Sequence, residues 1–259
     1  MAQNRPISDW RGKRVWITGA STGIGAALAV RLAAAGARLA ISARGADKLT
    51  ALAQGMPGAL VLPLDVRDAA ALAAAYQAIA AAWGGADVVI FNAGTYAPMR
   101  ADAFDLAHMN EHFAVNFQGV TNGLAAVLPD FLRRAAEHPA LAIVASVAGS
   151  RGLPKALAYG PSKAALINLA ETLYLDLAPM GIGVTLINPG FVDTPLTAQN
   201  EFRMPALISA GEAADHIVGD FAHGRFEIHF PKRFTRFMKA LRLLPYTLYF
   251  PAIRKTTGS

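Results

Sequence analysis

The stretch Thr18-Gly19-Ala20-Ser21-Thr22-Gly23-Ile24-Gly25 joins an apolar run, Val15–Ile17, to an alanine-rich segment with helical spacing. A strand, a glycine-rich turn and a helix in this order predict a phosphate cradle, in which the first amides of the helix face an anion. Gly19 permits the tight exit from the strand, Gly23 the approach of backbone to a pyrophosphate, and Gly25 close helix packing. A purely structural turn is the alternative, so the downstream pattern has to decide.

Downstream, apolar runs of strand length alternate with longer segments of helical spacing. The runs are unbroken, as in strands buried on both faces of a parallel sheet. We therefore predict a single α/β domain of three α/β/α layers, with a Rossmann-type doubly wound parallel sheet of about seven strands. The predicted strands are 14–18, 38–42, 59–64, 87–91, 141–146, 183–188 and 225–230. The predicted helices are 24–35, 68–83, 104–137, 161–178 and 211–222.

The composition bounds the class of protein. With 259 residues, 54% of them hydrophobic and 16% charged, the chain can bury a full core and is not disordered. No apolar run reaches the roughly 18 residues of a membrane span, and the amino terminus lacks the apolar core of a secretory signal. The chain has no cysteine, which excludes disulfides and thiolate chemistry and fits a cytoplasmic location. The six histidines are scattered, so we predict no required metal.

The net charge of +6 is confined to the C-terminus. Residues 228–259 contain seven basic and no acidic side chains, which leaves 17 basic and 18 acidic residues elsewhere. A nucleic-acid footprint is more often spread over a folded face, so we expect no nucleic-acid partner. We expect residues 1–231 to form the domain and residues 232–259 a basic amphipathic C-terminal extension.

In doubly wound sheets, ligands bind beyond the carboxyl ends of the strands. After the second predicted strand, Ala43 stands where NAD-preferring proteins usually place an acidic residue, and Arg44 follows it. A small residue and an arginine favour a ribose 2′-phosphate, although Arg44 could equally be a solvated surface residue. After the third strand, Asp65 and Val66 could rim an adenine pocket, or Asp65 could cap the helix that starts near Asp68.

Two further polar positions stand out. Asn92-Ala93-Gly94 follows the fourth strand and brings backbone close to a ligand ribose, or forms an ordinary turn. Asn116 lies inside a helical pattern, where asparagine is a poor helix former. It is either held there for function or satisfied locally.

Ser146 ends the fifth predicted strand, and Tyr159 and Lys163 follow at a spacing of four. Pro161 fits only a first helical turn, so the two side chains share a helix face about 6 Å apart along the axis. An ammonium about 4 Å from a phenolate attracts it by roughly 4 kcal/mol at an effective dielectric near 20, which could lower a tyrosine pKa of about 10 by up to three units. We therefore expect an acid/base pair, although most such pairs are mere helix neighbours.

Together these features resemble the classical short-chain dehydrogenase/reductase family. Thr18–Gly25, Asn92-Ala93-Gly94, Asn116, Ser146, Tyr159 with Lys163, and Pro189-Gly190 occur in the order and spacing of that family, over roughly residues 12–230. The resemblance implies the catalytic set Asn116, Ser146, Tyr159 and Lys163. It implies a dinucleotide held by Gly19, Ser21, Thr22, Gly23, Ile24, Gly25, Arg44, Asp65, Val66, Asn92, Ala93, Gly94, Tyr159, Lys163, Pro189, Gly190, Val192 and Thr194.

The resemblance also implies roles. Tyr159 would donate a proton to a substrate carbonyl, and Ser146 would orient the substrate oxygen. Lys163 would lower the pKa of Tyr159 and bind the nicotinamide ribose, while Asn116 would hold a water linking Lys163 to solvent. The backbone from Pro189 to Val192, with the Thr194 hydroxyl, would fix the nicotinamide.

Cofactor and substrate follow less directly. Many NADP-preferring relatives carry a basic residue just before the second glycine of the turn, where this chain has Thr22; Arg44 and the missing acid at Ala43 nonetheless favour NADP(H) over NAD(H). We predict an NADP(H)-dependent oxidoreductase acting on an apolar ketone, aldehyde or secondary alcohol. The alternatives are a 3-oxoacyl-thioester reductase, whose acidic carrier the cationic C-terminus could meet, and a dinucleotide-binding sensor or scaffold without turnover.

Two regions remain open. The segment 191–209, with Leu196, Phe202, Met204, Leu207 and Ile208, either lines an apolar substrate pocket or covers the core. In the extension, a helix ended by Pro245 gathers Phe234, Phe237, Met238, Leu241 and Leu244 on one side, with Lys232, Arg233, Arg236 and Lys239 on the other. That helix could pack on the body or a partner, dock on an anionic membrane surface, or act as a mobile lid. Relatives often form dimers or tetramers through the long helices, here 104–137 and 161–178.

Overall fold

Seven parallel strands form one sheet in a computed structural model that describes residues 2–200, 202 and 204–257. The strand order is β3-β2-β1-β4-β5-β6-β9. A separate two-stranded parallel pair, β7 with β8, lies outside it. The strands are β1 Arg14–Thr18, β2 Arg38–Ser42, β3 Leu60–Val61, β4 Val88–Phe91, β5 Ala140–Val144, β6 Gly183–Pro189, β7 Val192–Asp193, β8 Ile208–Ser209 and β9 Glu227–Phe230.

The chain reverses its direction of travel across the sheet between β1 and β4. From β1 it moves outward to β2 and β3, then returns to place β4 on the other side of β1. The register pairs Thr18 with both Ser42 and Phe91, so three strands end at the same level. A crevice opens at such a switch point, beyond the carboxyl ends of the strands.

Helices cover both faces of the sheet. The helices are α1 Gly23–Ala34, α2 Ala46–Ala53, α3 Ala69–Trp83, α4 Leu106–Phe113, α5 Gly119–Arg133, α6 Tyr159–Leu177, α7 Ala210–Phe221, α8 Lys232–Arg242 and α9 Tyr246–Thr257. Buried side chains of α1, α2 and α7 pack on one face, and those of α3, α5 and α6 on the other. The apolar side chains of each central strand alternate between the two cores: Val15 and Ile17 face the first, and Trp16 faces the second. The predicted three-layer, doubly wound fold is confirmed.

The third strand is shorter than the predicted 59–64. Only Leu60 and Val61 pair in the ladder with β2, although Leu62 and Leu64 each donate one further backbone hydrogen bond, to Ile41 and Ala43. Pro63 stands between those two donors, where a backbone N–H would point to the open edge of the sheet, so its missing N–H costs the ladder with β2 no hydrogen bond.

The predicted long helix 104–137 is a series of segments. Asp105 caps α4 by accepting from the N–H groups of Ala107 and His108, so Phe104 lies outside the helix. A π-helical turn, Ala114–Gln118, then joins α4 to α5, and a 3₁₀ turn follows at Ala135–Glu137. Sequence periodicity cannot reveal such a turn, because one inserted residue changes the apolar spacing only locally.

Three elements were absent from the sequence prediction. Helix α2 has only eight residues, most of them exposed, and α9 contains Pro251, which is typical of a helix end. The β7–β8 pair has only two residues per strand. The helix predicted at Pro161 starts two residues earlier, at Tyr159. Parts of two predicted segments, residues 201 and 203 of 191–209 and residues 258–259 of the extension, lie outside the described residues.

Candidate active site

The glycine-rich turn is closed by backbone contacts that leave no room for side chains. A Cβ on Gly25 would lie 2.3 Å from the Gly19 carbonyl oxygen and 2.4 Å from Asn92 Nδ2. A Cβ on Gly19, whose φ is +70°, would lie 2.6 Å from the Cα of Ala93. Asn92 Nδ2 donates to the carbonyls of Thr18 and Gly19 at 3.2 and 3.0 Å. Asn92 therefore joins the end of β4 to the turn after β1.

The turn leads into α1 with its amides directed to a cleft. Thr22 takes the N-cap position in extended backbone, and its side chain makes no capping hydrogen bond. Gly23 has a φ of +58°, and a Cβ there would lie 3.0 Å from Thr194 Cγ2. The turn after β1 and the loop after β6 thus approach each other across the cleft. First-turn amides of a helix that lack a side-chain cap suit an anionic ligand.

The cleft has a volume of about 740 Å³ and runs along the carboxyl ends of the strands. It is lined by Gly19, Ser21, Thr22, Gly23, Ile24, Arg44, Asp65, Val66, Asn92, Ala93, Gly94, Ser146, Tyr159, Lys163, Pro189, Gly190, Val192 and Thr194. The structure thus brings the candidate site residues together except for Gly25 and Asn116. Gly25 lies beneath the turn, and Asn116 lies behind Gly94.

One end of the cleft is basic. Arg44 and Lys48 both line it and are exposed, although Asp47 is exposed there as well. Lys48 was not predicted as a site residue. It lies in the first turn of α2, four residues after Arg44, which precedes this helix. The arrangement places two cations where a 2′-phosphate would lie beyond the end of β2.

Asp65 forms an ion pair with Arg67 and does not cap a helix. Its carboxylate accepts from the Arg67 side chain at Nε and Nη2, and from the Arg67 backbone N–H at 2.9 Å. These hydrogen bonds keep the pKa of Asp65 below its usual range. The capping alternative for Asp65 is wrong: Asp68 caps α3 through the N–H of Ala71. Asp65 and Val66 remain at the rim of the cleft.

Asn116 is fully buried in the π-helical turn. Its Oδ1 accepts from the Thr95 N–H at 2.7 Å, and its Nδ2 donates to the Thr95 carbonyl and to Ser162 Oγ. The side chain therefore clamps the loop after β4 onto α6. A Cβ on Gly94 would lie 3.3 Å from Asn116 Oδ1 and 3.4 Å from Lys163 Nζ, so Gly94 separates the two groups. The water proposed to be held by Asn116 stays a prediction.

Lys163 is buried, with 3% of its surface exposed. Its Nζ donates to the Val144 carbonyl at 2.9 Å and lies 5.7 Å from the centre of the Tyr159 ring. Burial disfavours the ammonium and lowers the pKa of Lys163 to about 8. The two groups lie on the same side of α6, as the spacing of four predicts.

The pKa of Tyr159 departs from the sequence expectation. Burial raises the pKa of the phenol to about 12, and a hydrogen bond from Ser146 lowers it by less than burial raises it. The expected lowering of this pKa by Lys163 is absent, and the Lys163 ammonium donates instead to the Val144 carbonyl. In this state the phenol is therefore protonated at neutral pH. Ser146 Oγ also accepts from the Ala148 N–H at 3.1 Å, which fixes the loop after β5.

Tyr96 is a site residue that the sequence analysis missed. Its ring packs edge-on against Tyr159, with centroids 5.0 Å apart, and its hydroxyl donates to Asn200 Oδ1 at 2.9 Å. Gln199 Nε2 donates back to the Tyr96 carbonyl. Tyr96 thus ties the segment 191–209 to the centre of the cleft. Its one signal in the sequence is its position two residues after Gly94.

The apolar segment 191–209 divides into two roles. Leu196 lines the cleft, and the Phe191 ring contacts Phe202 and Phe234 at centroid distances of 5.7 and 5.4 Å. Ile208 packs against the core next to β7. Both predicted readings therefore hold in part: one portion of the segment faces the cleft and another covers the core.

The C-terminal extension packs on the body. Thr235 is fully buried with its Oγ1 2.6 Å from Nδ1 of His229, and a Cβ on Gly190 would lie 2.9 Å from the Phe234 ring. The predicted division of α8 into an apolar and a basic side is partly wrong. Lys232 and Lys239 face the body, because Asp220 and Glu227 supply partners for them, whereas Phe237 is half exposed.

Arg151 fastens the end of α8 to the loop after β5. Its Nη1 donates to the carbonyls of Leu241, Arg242 and Leu244. Its guanidinium also lies over the rings of Tyr246 and Tyr249, at 4.8 and 4.0 Å from their centres. Tyr249 is buried and donates to the Gly152 carbonyl at 2.8 Å. The extension therefore contacts the loop that lies between Ser146 and Tyr159.

Comparison with known proteins agrees with this geometry. A family model described as short chain dehydrogenase matches residues 13–204. An uncharacterized oxidoreductase of Myxococcus xanthus is 35% identical over 243 residues, which cover 92% of this chain and 95% of that protein. An uncharacterized oxidoreductase of Staphylococcus epidermidis is 31% identical and covers 78% of this chain and 87% of its own.

Solved structures are similar as well. A short chain dehydrogenase/reductase from Burkholderia phymatum in complex with NAD superposes with a TM-score of 0.82 at 25% identity, over 90% of this chain and 94% of that one. A 3-ketoacyl-(acyl-carrier-protein) reductase from Brucella melitensis complexed with NADH gives a TM-score of 0.78 at 26% identity, over 85% and 97% of the two chains.

Proposed function

Because the chain belongs to the short chain dehydrogenase family, we propose that it is an NADP(H)-dependent oxidoreductase acting on an apolar ketone, aldehyde or secondary alcohol. The observation that carries this proposal is the joint position of Ser146, Tyr159 and Lys163 in the same cleft as the glycine-rich turn. A merely structural turn would not require three such side chains at the other end of one cleft.

The residues of the chain have separable tasks. Tyr159 gives its phenolic proton to the substrate oxygen, and Ser146 donates a hydrogen bond that orients this oxygen. Lys163, whose Nζ lies 5.7 Å from the centre of the Tyr159 ring, would bind the hydroxyls of the nicotinamide ribose. A bound nicotinamide supplies or accepts the hydride. With a pKa of about 12, Tyr159 is in the protonated form that carbonyl reduction needs.

The dinucleotide fits residues that are present. At Gly19, Gly23 and Gly94 a Cβ would meet protein atoms within 3.4 Å, so glycine lets these turns close tightly around the cleft. Thr22 leaves the first turn of α1 without a side-chain cap, so a phosphate oxygen can accept from those amides.

Preference for NADP(H) is supported by Arg44 and Lys48 at the basic end of the cleft, and by the small Ala43 beside them. An Ala43→Asp substitution puts a carboxylate next to the 2′-phosphate and should weaken NADPH binding by about tenfold or more relative to NADH. Titration of both nucleotides by fluorescence measures this ratio, with Ala69→Asp as the same charge change on exposed α3. An unaltered ratio in Ala43→Asp would refute the NADP(H) assignment.

An apolar substrate is supported by the side chains at the other end of the cleft. Leu196 is an apolar part of the cleft wall, and in the same segment the Phe191 ring packs against Phe202 and Phe234. Such walls favour apolar substrates, with a few polar groups to fix their orientation.

Of the two alternatives, only one has specific support. The similarity to a 3-ketoacyl-(acyl-carrier-protein) reductase favours a 3-oxoacyl thioester as the second candidate substrate. A nucleotide-binding sensor without turnover shares the fold but has no need of Ser146, Tyr159 and Lys163. NADPH oxidation against ketones, aldehydes and a 3-oxoacyl thioester, graded by chain length, separates the three.

The deciding experiment is Tyr159→Phe. Loss of the general acid should lower kcat by about 10²–10⁴-fold while NADPH still binds. Tyr174→Phe, which removes a hydroxyl from the same helix at its contact with the Gln3 carbonyl, is the matched control and should keep full activity. A Tyr159→Phe rate equal to that of the native protein would exclude the proposed mechanism.

We further propose a homo-oligomer, dimer or tetramer, formed through α5 and α6. Leu132 on α5 and Leu175 on α6 support this assembly, because both leucines are exposed. A cytoplasmic location stays a prediction from the composition.

A further inference from the structure

The outer face of the C-terminal extension combines exposed apolar and cationic side chains. We use the name outer face for Phe237, Leu243, Tyr246 and Leu248, each at least half exposed, together with the exposed Arg233, Arg236, Arg242, Arg254 and Lys255. Leu243 is 84% exposed. Aromatic and aliphatic side chains rarely gather on the surface of a monomer without a partner.

The cations of the outer face have no acidic partner in the part of the chain that the structure describes. The other two cations of the extension, Lys232 and Lys239, are engaged with Asp220 and Glu227 of the body. Residues 228–259 contain no acidic side chain. The outer face therefore carries an uncompensated positive charge interleaved with rings.

We propose that the outer face docks on an anionic lipid surface. A basic face with interleaved aromatic residues binds at the headgroup level, where the rings enter the interface and the cations meet lipid phosphates. Helices α8 and α9 span 11 and 12 residues, and no helix within residues 2–200, 202 and 204–257 is long and apolar enough to cross a bilayer. The extension therefore lies along the surface.

A second copy of this chain fits the outer face less well. In a two-fold contact the same patch meets itself, which would oppose the unpaired arginines of both copies. The remainder of the chain has 17 basic and 18 acidic residues and so offers no strong excess of negative charge. An anionic bilayer supplies that charge over the whole patch.

The inner side of the extension makes the docking surface rigid before lipid is met. Thr235, Tyr249 and Ile253 are buried against the body, and Arg151 holds the end of α8. The docking surface is thus already folded, so binding carries no entropic cost for ordering the two helices. Helix α8 also lies beside the segment 191–209, since Phe234 on its inner side packs on Phe191.

Co-sedimentation of the full chain with vesicles tests this proposal. Native protein should pellet with phosphatidylcholine vesicles that contain phosphatidylglycerol, should stay in solution with phosphatidylcholine alone, and should be released by high salt. Arg233→Gln with Arg236→Gln should weaken binding roughly 30-fold. The matched control, Arg5→Gln with Arg38→Gln, removes two charges from the body and should bind as the native protein does.

A second variant tests the apolar part of the outer face. Phe237→Ser with Leu243→Ser should weaken vesicle binding by about tenfold or more. NADPH affinity, which all three double variants should keep, verifies that they are folded. Equal pelleting of native protein and both outer-face variants overturns the proposal. So does a concentration-dependent dimer that these substitutions abolish, in a protein that does not pellet with anionic vesicles.

Discussion

The two ends of the cleft are built in different ways. The nucleotide end consists of backbone and small residues directly after β1, β2 and β4, where Gly19, Gly25 and Asn92 interlock within 3.0 Å. The end that we propose for the substrate is bordered by side chains from distant segments: Tyr96 packs on Tyr159, Phe191 packs on Phe234, and Arg151 holds the end of α8. The first end depends on the absence of side chains, and the second on their contacts. Substitutions at the two ends should therefore have different effects: added side chains should destabilise the first end, and removed contacts should weaken the second.

The largest effect is expected at the nucleotide end. Gly25→Ala places a Cβ 2.3 Å from the Gly19 carbonyl oxygen, and the backbone must move. We expect a loss of at least about 3 kcal/mol in the free energy of unfolding, measured with urea, and the loss of NADPH binding.

Gly219→Ala is the matched control for that change. Gly219 lies on an exposed part of α7 with no atom near the new methyl group, so alanine should stabilise the protein by about 1 kcal/mol. If Gly25→Ala is as stable as the native protein, the interlocked turn does not set the nucleotide end.

Lys163 lies where the two ends meet, and its burial predicts a pH dependence. The pKa of Lys163 is about 8 in the folded protein, against 10.5 for an exposed lysine such as that of the unfolded chain. Between these values the unfolded chain holds a proton that the folded protein has released, so stability rises with pH across this window. The rise amounts to about 3 kcal/mol over the whole window.

Lys163→Met should remove that rise and stabilise the protein by a similar amount at pH 7. Urea unfolding of both proteins at several pH values measures the difference, in which contributions common to both cancel. Tyr159, whose pKa is raised to about 12, acts in the opposite sense only above about pH 10. Parallel stability curves for the two proteins would show that Lys163 is solvated in solution.

Arg151 tests the substrate end. Arg151→Ala removes three hydrogen bonds to the end of α8 and the contacts with Tyr246 and Tyr249, which should cost about 2 kcal/mol. Limited proteolysis should then cut the extension faster, while NADPH affinity stays unchanged. Arg100→Ala, which removes an exposed pair with Asp102, should have little effect. A parallel loss of NADPH binding in Arg151→Ala would mean that the two ends are coupled.

The smallest effect is expected for Tyr96→Phe. The change keeps the ring on Tyr159 and removes the hydrogen bond to Asn200, worth about 1 kcal/mol. KM for the substrate should rise about fivefold with little change in kcat or in NADPH affinity. Tyr96→Ala, which also removes the ring, should lower kcat as well. Equal KM values for Tyr96→Phe and native protein would place the substrate away from this residue.

The sequence predicted which residues line the glycine-rich end of the cleft, for a local reason. Each of its residues follows a strand within a few positions, and parallel strands bring their carboxyl ends to one edge. The spacing of Tyr159 and Lys163 likewise follows from one helical turn. The pKa of Tyr159 could not be predicted, because it depends on burial by Tyr96 and on the Lys163 hydrogen bond to Val144. The alternative that Asp65 caps a helix was wrong because its carboxylate binds Arg67 instead.

By itself, the sequence determined the three-layer doubly wound fold, the membership in its family and which residues lie at the glycine-rich end of the cleft. These depend on hydrophobic periodicity and on glycines, both of which act over a few residues. Only the tertiary structure decided that the extension packs on the body, that Lys232 and Lys239 turn inward, and that Tyr96 and Arg151 join the substrate end. Those outcomes rest on partners far away in the chain, such as Asp220 and Glu227, which no local pattern encodes.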